Sequence, residues 1–149
     1  MISALGLLGA KIVASVLITD FLSGVFHWLE DAYGREHWLV TGELITKPNI
    51  LHHHDPRHFT RHSWWQSARV LLVIAAIGLG VAWGLGWWNW MMWLVAIIGV
   101  SVNEIHKWAH RSPAENKKLI TFLQKARIIQ SPAHHIKHHQ NRKRTITVS

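Results

Sequence analysis

The stretch His134-His135-Ile136-Lys137-His138-His139 spends four of its six residues on imidazole. A helix turns about 100° per residue, so the four rings fall at about 0°, 100°, 40° and 140° around the axis and share one face. Neutral imidazole is a common metal ligand near pH 7, and a face equipped in this way is suited to grip metal from one side. The plainer alternative is an adventitious His-rich tract that holds metal loosely. It loses ground because histidines also stand in pairs elsewhere. In Asn103-Glu104-Ile105-His106-Lys107-Trp108-Ala109-His110 the two histidines are i,i+4, with Asn103 on about the same face. His27 and Asp31 repeat the i,i+4 spacing in a stripe that begins at Asp20 and Gly24. His27 is a candidate ligand, and Asp31 is a ligand or an acceptor that orients one. Asp20 is either a partner to a ligating ring or an interfacial carboxylate. His52-His53-His54-Asp55-Pro56 and the i,i+4 pair His58 and His62 lie in a polar segment, 31–61, which contains Gly34, Gly42, Pro48 and Pro56 and reads as a loop.

The rest of the composition limits the chemistry. The chain has no Cys, so disulfides, thiolate zinc sites and cysteine-bound iron–sulfur clusters are excluded, and any metal must be held by His, Asp, Glu and water. His106 is followed by Lys107 and Trp108, which departs from the H-E-x-x-H of zinc peptidases. Gly78-Leu79-Gly80 with Gly84 lies in an apolar context with no preceding strand. It reads as close helix packing rather than as a nucleotide loop.

The elements that must position these residues are apolar and long. Of 149 residues, 49% are hydrophobic and 10 are Trp, yet the net charge is +8, with apolar blocks separated by basic segments. This is the pattern of a membrane protein. Roughly 20 apolar residues cross a bilayer core, and three blocks qualify, giving expected transmembrane helices over 4–28, 64–84 and 87–108. The first lacks the basic leading region of a signal peptide and continues past any cleavage site, so a retained span is expected. The second and third form a hairpin about Gly84-Leu85-Gly86, where Trp83, Trp87, Trp88, Trp90 and Trp93 supply an aromatic belt. Ser112-Pro113-Ala114-Glu115 reads as a capping box opening an amphipathic interfacial helix over 113–128. Leu119, Phe122, Leu123, Ala126 and Ile129 fall on its apolar side, and Lys117, Lys118, Thr121, Gln124 and Lys125 largely on the other. Ser131-Pro132 opens the His-bearing helix, 132–142. Arg142-Lys143-Arg144 then suit lipid phosphates, and no nucleic-acid partner is expected.

Three spans put every histidine on one side of the membrane, together with all the Lys and Arg except Lys11. The positive-inside rule makes that side cytoplasmic. The expected fold is therefore an all-α, multi-pass integral membrane protein forming one domain, 1–149, with a cytoplasmic cap of interfacial and His-bearing helices. Eight or nine nitrogens suit two metal ions better than one, and a thiolate-free set of this kind permits iron, zinc, manganese or copper.

Taken together and in order, four motifs resemble those of the lipid desaturase family that includes plasmanylethanolamine desaturase and a plant plastid desaturase of phosphatidylglycerol acyl chains. They are Asp20-Phe21-Leu22-Ser23-Gly24-Val25-Phe26-His27-Trp28 with Asp31, His52-His53 with Asp55-Pro56, Asn103 through His110, and His134-His135 with His138-His139. Past the last box the chain departs from the family pattern, with Lys143 and Thr145-Ile146-Thr147 where a further His and a Tyr-Cys pair are found. The resemblance implies an O2-dependent di-iron enzyme that introduces a double bond into an alkyl-ether or acyl chain of a membrane phospholipid. Its electrons would come from an external redox protein. It implies His27, His52, His53, His62, His106, His110, His134, His135, His138 and His139 as the metal ligands. Asp31 and Asn103 are the further residues expected to serve the reaction. A lipid hydroxylase, a non-enzymatic metal-binding or transport component and a zinc hydrolase are the rival readings.

Overall fold

A computed structural model describes residues 3–146, with side chains described through Gln140 except that of His138. The expected ligand His138 and the run Arg142-Lys143-Arg144 therefore lie outside the described side chains. The chain folds as α1 (Ala4–Tyr33), a π-helical turn (Gly42–Thr46), α2 (Lys47–His54), α3 (Pro56–Phe59), α4 (Trp64–Gly84), α5 (Trp90–Ala109), α6 (Lys118–Lys125) and α7 (Pro132–Ile146).

Local chemistry sets the helix ends. The Ser3 hydroxyl accepts from the Gly6 amide at 3.1 Å and starts α1. With no proline to stop it, α1 runs past the expected end at residue 28, so His27 and Asp31 ride on the same continuous helix. Ser63 and Gln66 close a reciprocal capping box at the head of α4. Asn89 caps α5 by accepting from the Met91 amide at 2.8 Å, so that helix begins at Trp90 rather than at residue 87. Between α4 and α5 the hairpin turns at Gly86, whose φ of 73° is left-handed backbone that glycine adopts without strain.

Helix α5 packs against both α4 and α1 and is the centre of the bundle. Its contact with α1 is made through small residues. Ser15 and Thr19 are buried, and the Thr19 methyl lies 3.9 Å from where a Cβ on Gly99 would stand. Both hydroxyls fold back onto their own helix, Ser15 onto the Lys11 carbonyl at 2.9 Å and Thr19 onto the Ser15 carbonyl at 2.8 Å. The buried apolar residues among those described are only Ala68, Ala82 and Ala109, while Leu5, Leu17, Phe21, Val73, Ile77 and Ile97 face outward. Small and polar residues inside with large apolar residues outside suit hydrocarbon surroundings, where close backbone approach replaces hydrophobic burial. Two of the three expected spans, α1 and α4, are long and apolar enough to cross a membrane. The last turns of α5 carry Asn103, Glu104, His106 and Lys107, which lower its hydropathy.

Two expectations are corrected. Segment 31–61 is largely helical, and His52, His53 and His54 end α2 instead of lying in a loop. Its mixed polar sequence carries no apolar period that would announce a helix. The helix expected over 113–128 is confined to Lys118–Lys125. Ser112 and Glu115 satisfy each other within a closed turn, the Ser112 amide donating to the Glu115 carboxylate at 2.8 Å and the Glu115 amide to the Ser112 carbonyl at 3.0 Å. At the far end, Arg127 adopts φ 58° and stops the helix.

Gly42, buried at the start of the π-helical turn, has no room for a side chain. A Cβ there would meet the Glu36 carbonyl, with its carbon at 2.9 Å and the Arg35 oxygen at 3.2 Å. Gly42→Ala is expected to destabilise by about 2 kcal/mol. Gly24→Ala, which meets nothing within 4 Å, should change stability by less than about 1 kcal/mol. Thermal unfolding of both variants in one detergent checks this, and equal midpoints would refute the close approach at Gly42.

Candidate metal centre

Four helices deliver imidazoles to one place. The i,i+4 spacing sets His106 of α5 and His110, the residue that caps it, one turn apart, and does the same for His135 and His139 on α7. With His52 of α2 they form a group of five whose ligand nitrogens all lie within 4.8 Å of one another. His53 is the next residue along α2, turned about 100° away. It joins a second group with His27 and Asp31 of α1, held to the same distance limit. The two groups adjoin. The His53 and His139 ring centroids are 4.6 Å apart, and those of His27 and His106 are 5.7 Å apart.

The nitrogen geometry in the larger group is specific. His135 Nε2 lies 2.9 Å from His106 Nε2, 2.8 Å from His110 Nε2 and 2.9 Å from His139 Nε2. His110 Nε2 is also 3.2 Å from His52 Nε2. One imidazole nitrogen offers either a single hydrogen or a single lone pair, so hydrogen bonding does not account for three such neighbours at once. Two nitrogens each about 2.1 Å from one ion lie about 3.0 Å apart at right angles and about 3.4 Å apart at the tetrahedral angle. The residues present therefore fit a metal ion. In the smaller group, Asp31 Oδ1 lies 3.2 Å from His53 Nε2 and accepts from Asn49 Nδ2 at 2.8 Å, while Asp31 Oδ2 is 3.9 Å from His27 Nε2.

Electrostatics favour neutral rings. Burial, followed by the neighbouring His110, His139, His53 and His135, pushes His52 down to about 2. Burial and then His27 push His53 down to about 4. Both rings can therefore offer lone pairs at neutral pH without first losing a proton.

The remaining expected site residues lie elsewhere. His62 is in neither group; its ring packs against His58, with centroids 5.0 Å apart. His134 is exposed and in neither group. Asn103 donates to the Ser67 carbonyl at 2.8 Å and ties α5 to α4. Asp20, His37 and His54 are exposed.

Sequence reasoning missed Lys107, which is 1% exposed. Its ammonium group donates to the His62 carbonyl at 2.9 Å, the Ser63 carbonyl at 3.4 Å and Glu104 Oε2 at 2.8 Å. It thereby fastens the head of α4 beside His106. Asn49, the partner of Asp31, had no sequence signal. Arg57 was also missed. It pairs with the Glu115 carboxylate at 2.6 Å and reaches the His110 carbonyl at 3.3 Å.

Residues 16–146 match the profile of the lipid desaturase domain family. The chain is 33% identical over 141 residues to a plasmanylethanolamine desaturase of Myxococcus xanthus, an alignment covering 89% of this chain and 49% of that protein. It is 29% identical over 140 residues to plasmanylethanolamine desaturase 1 of Mus musculus, covering 86% and 51%. To the chloroplastic fatty acid desaturase 4 of Arabidopsis thaliana it is 26% identical over 130 residues, covering 85% and 40%. The chain spans about half the length of the curated relatives it matches. No solved structure matches.

The lowered histidines make acid destabilising. Between pH 6.5 and the folded values, the unfolded chain binds protons on His52 and His53 that the folded chain does not, so stability falls as pH falls. The slope reaches at most about 1.4 kcal/mol per pH unit for each ring. The thermal midpoint of the metal-free protein should drop as pH is taken from 7.5 to 5. A midpoint that held or rose would mean that these rings are charged in the fold.

Proposed function

The chain belongs to the lipid desaturase domain family, and on that premise we propose that it is an O2-dependent membrane oxidoreductase. Two iron ions, one held by each histidine group, would serve to place a double bond in a phospholipid chain. The observation that carries this reading is the pair of adjoining groups, five imidazoles beside His27, Asp31 and His53. An alkyl-ether chain, giving a vinyl ether, is the favoured substrate, because the plasmanylethanolamine desaturases are similar to this chain over most of its length.

When bound, iron supplies the O2 activation that hydrogen removal from an unactivated CH2 requires. The net change takes two hydrogens from adjacent carbons. With O2, two electrons and two protons it yields the double bond and two waters. The chain's own residues hold and shield the centre. His52, His106, His110, His135 and His139 would hold one ion, and His27, Asp31 and His53 the other. Asn49 keeps the Asp31 carboxylate turned toward His53. Lys107 and Asn103 join α5 to the head of α4 and so keep His106 and His110 in place. Burial of His52, His53, His135 and His139 keeps bulk water from the metal ligands. The outward apolar faces of α1 and α4 let a lipid chain approach from the bilayer. In this reading α5 is the third span and the histidines face the cytoplasm. The basic segments on that face receive an acidic electron-transfer protein. A metal carrier would need ligands distributed through the membrane, whereas this centre sits at one end of the bundle.

Elemental analysis of the purified protein after anaerobic Fe(II) loading is expected to find about two irons per chain. His135→Ala should lose iron and product formation, while the neighbouring His134→Ala should keep iron. Loss of iron in both, or in neither, would sink this ligand assignment, and one tightly held zinc would sink the desaturase reading. Asp31→Asn, which takes the carboxylate from the smaller group, should lower product formation at least about 10-fold, as read by mass spectrometry of lipid products with O2 and a reductant. Activity within a factor of two of the wild type would remove Asp31 from the site.

A further inference from the structure

Gln124 falls on the polar side of α6 by sequence, yet its side chain is 5% exposed, while Leu119 and Phe122 on the apolar side stand open. The Gln124 amide is fully engaged. Nε2 donates to the Trp108 carbonyl at 3.0 Å and to the Gln130 carbonyl at 3.2 Å, and Oε1 accepts from Asn116 Nδ2 at 3.4 Å. Asn116 Nδ2 donates in turn to the same Trp108 carbonyl at 2.9 Å. The left-handed Arg127, followed by the Ile128 amide donating to the Leu123 carbonyl at 3.0 Å, bends the chain back so that the Gln130 carbonyl reaches this amide.

The two anchored carbonyls belong to the two segments that build the five-imidazole group. Trp108 lies between His106 and His110 on α5. Gln130 immediately precedes Ser131, whose carbonyl accepts from the His135 amide at 3.1 Å at the head of α7. Among the described side chains of α7 only His135 and His139 are buried, and Ile136 is 53% exposed. The described apolar side chains of this helix therefore contribute little hydrophobic packing.

We propose that Gln124 is a positioning residue for the five-imidazole group. It fixes the start of α7 to the end of α5, so that His135 and His139 already meet His52, His106 and His110 when metal arrives. The proposal rests on reading that group as a metal centre. Without the clasp, metal binding must itself draw α7 into place, and affinity falls by the cost of that ordering. The group of His27, Asp31 and His53 takes no ligand from α7 and is spared.

Gln124→Glu keeps the shape but has no hydrogen to donate and sets a carboxylate against two carbonyl oxygens; Gln124→Met keeps the volume without polarity. Full-length protein in detergent is titrated anaerobically with Fe(II), bound metal is counted after desalting, and backbone hydrogen exchange is followed with and without iron. Both variants are expected to bind one of the two irons at least about tenfold more weakly. In the metal-free state α7 should exchange at least about tenfold faster than in the wild type, with α4 and α5 unchanged. Gln130→Ala, which alters only an exposed side chain, should match the wild type. Two irons bound with wild-type affinity and unchanged α7 exchange would overturn the proposal. So would loss of both irons with faster exchange throughout, which would mark Gln124 as a residue of the fold alone. A wild-type chain that binds no iron would refute the metal reading, and the exchange rates of α7 would still decide whether Gln124 holds the helix.

Discussion

Bringing imidazole nitrogens to within 2.8–3.2 Å of one another, largely out of water, is the demand from which the rest of this molecule follows. Such an array is tolerable only if the rings stay neutral, since charged neighbours at that distance in a poorly solvated site repel strongly. It must also be held from outside, because each ring nitrogen can bond only one of its several neighbours at a time. The holding is done by polar groups that end on backbone carbonyls. Lys107, Arg57, Asn103, Asn116 and Gln124 each donate to a carbonyl of another segment, at the end of α5 or at the head of α4.

This dependence on polar ties is understandable in a bundle whose large apolar side chains face outward. Instead of hiding leucine, α1 and α5 come together over Ser15, Thr19 and Gly99, the kind of close approach that suits hydrocarbon surroundings. The interior is then free to be polar where the histidines sit. Each donor placed there is a fixed cost of desolvation that its carbonyl partners offset.

Periodicity made part of this readable without coordinates. The span 64–84 and the hairpin at Gly84-Leu85-Gly86 follow from apolar blocks and a breaker. The pairs His27 with Asp31 and His106 with His110 follow from i,i+4 spacing on helices long enough to be recognised. The four histidines of α7 cover an arc of about 140°, and spacing alone cannot say which part of that arc turns inward. The structure turns His135 and His139 in and leaves His134 out. His58 and His62 do meet as their spacing suggests, but away from both groups. Lys107 and Gln124 were hidden for a common reason. Cationic and amide side chains are read as solvated by default, and what draws these two inward is carbonyls supplied by distant segments.

One feature of α2 bears on how the two histidine groups relate. His52 and His53 are consecutive, yet each belongs to a different group. Consecutive Cα atoms are separated by about 3.8 Å across a trans peptide, so part of the spacing between the groups is a covalent length rather than a product of helix packing. Drift in the crossing angles of α1, α5 and α7 would reshape each group while that single peptide acted as a ruler between them. A chain built this way ties the spacing of its two histidine groups to its own backbone.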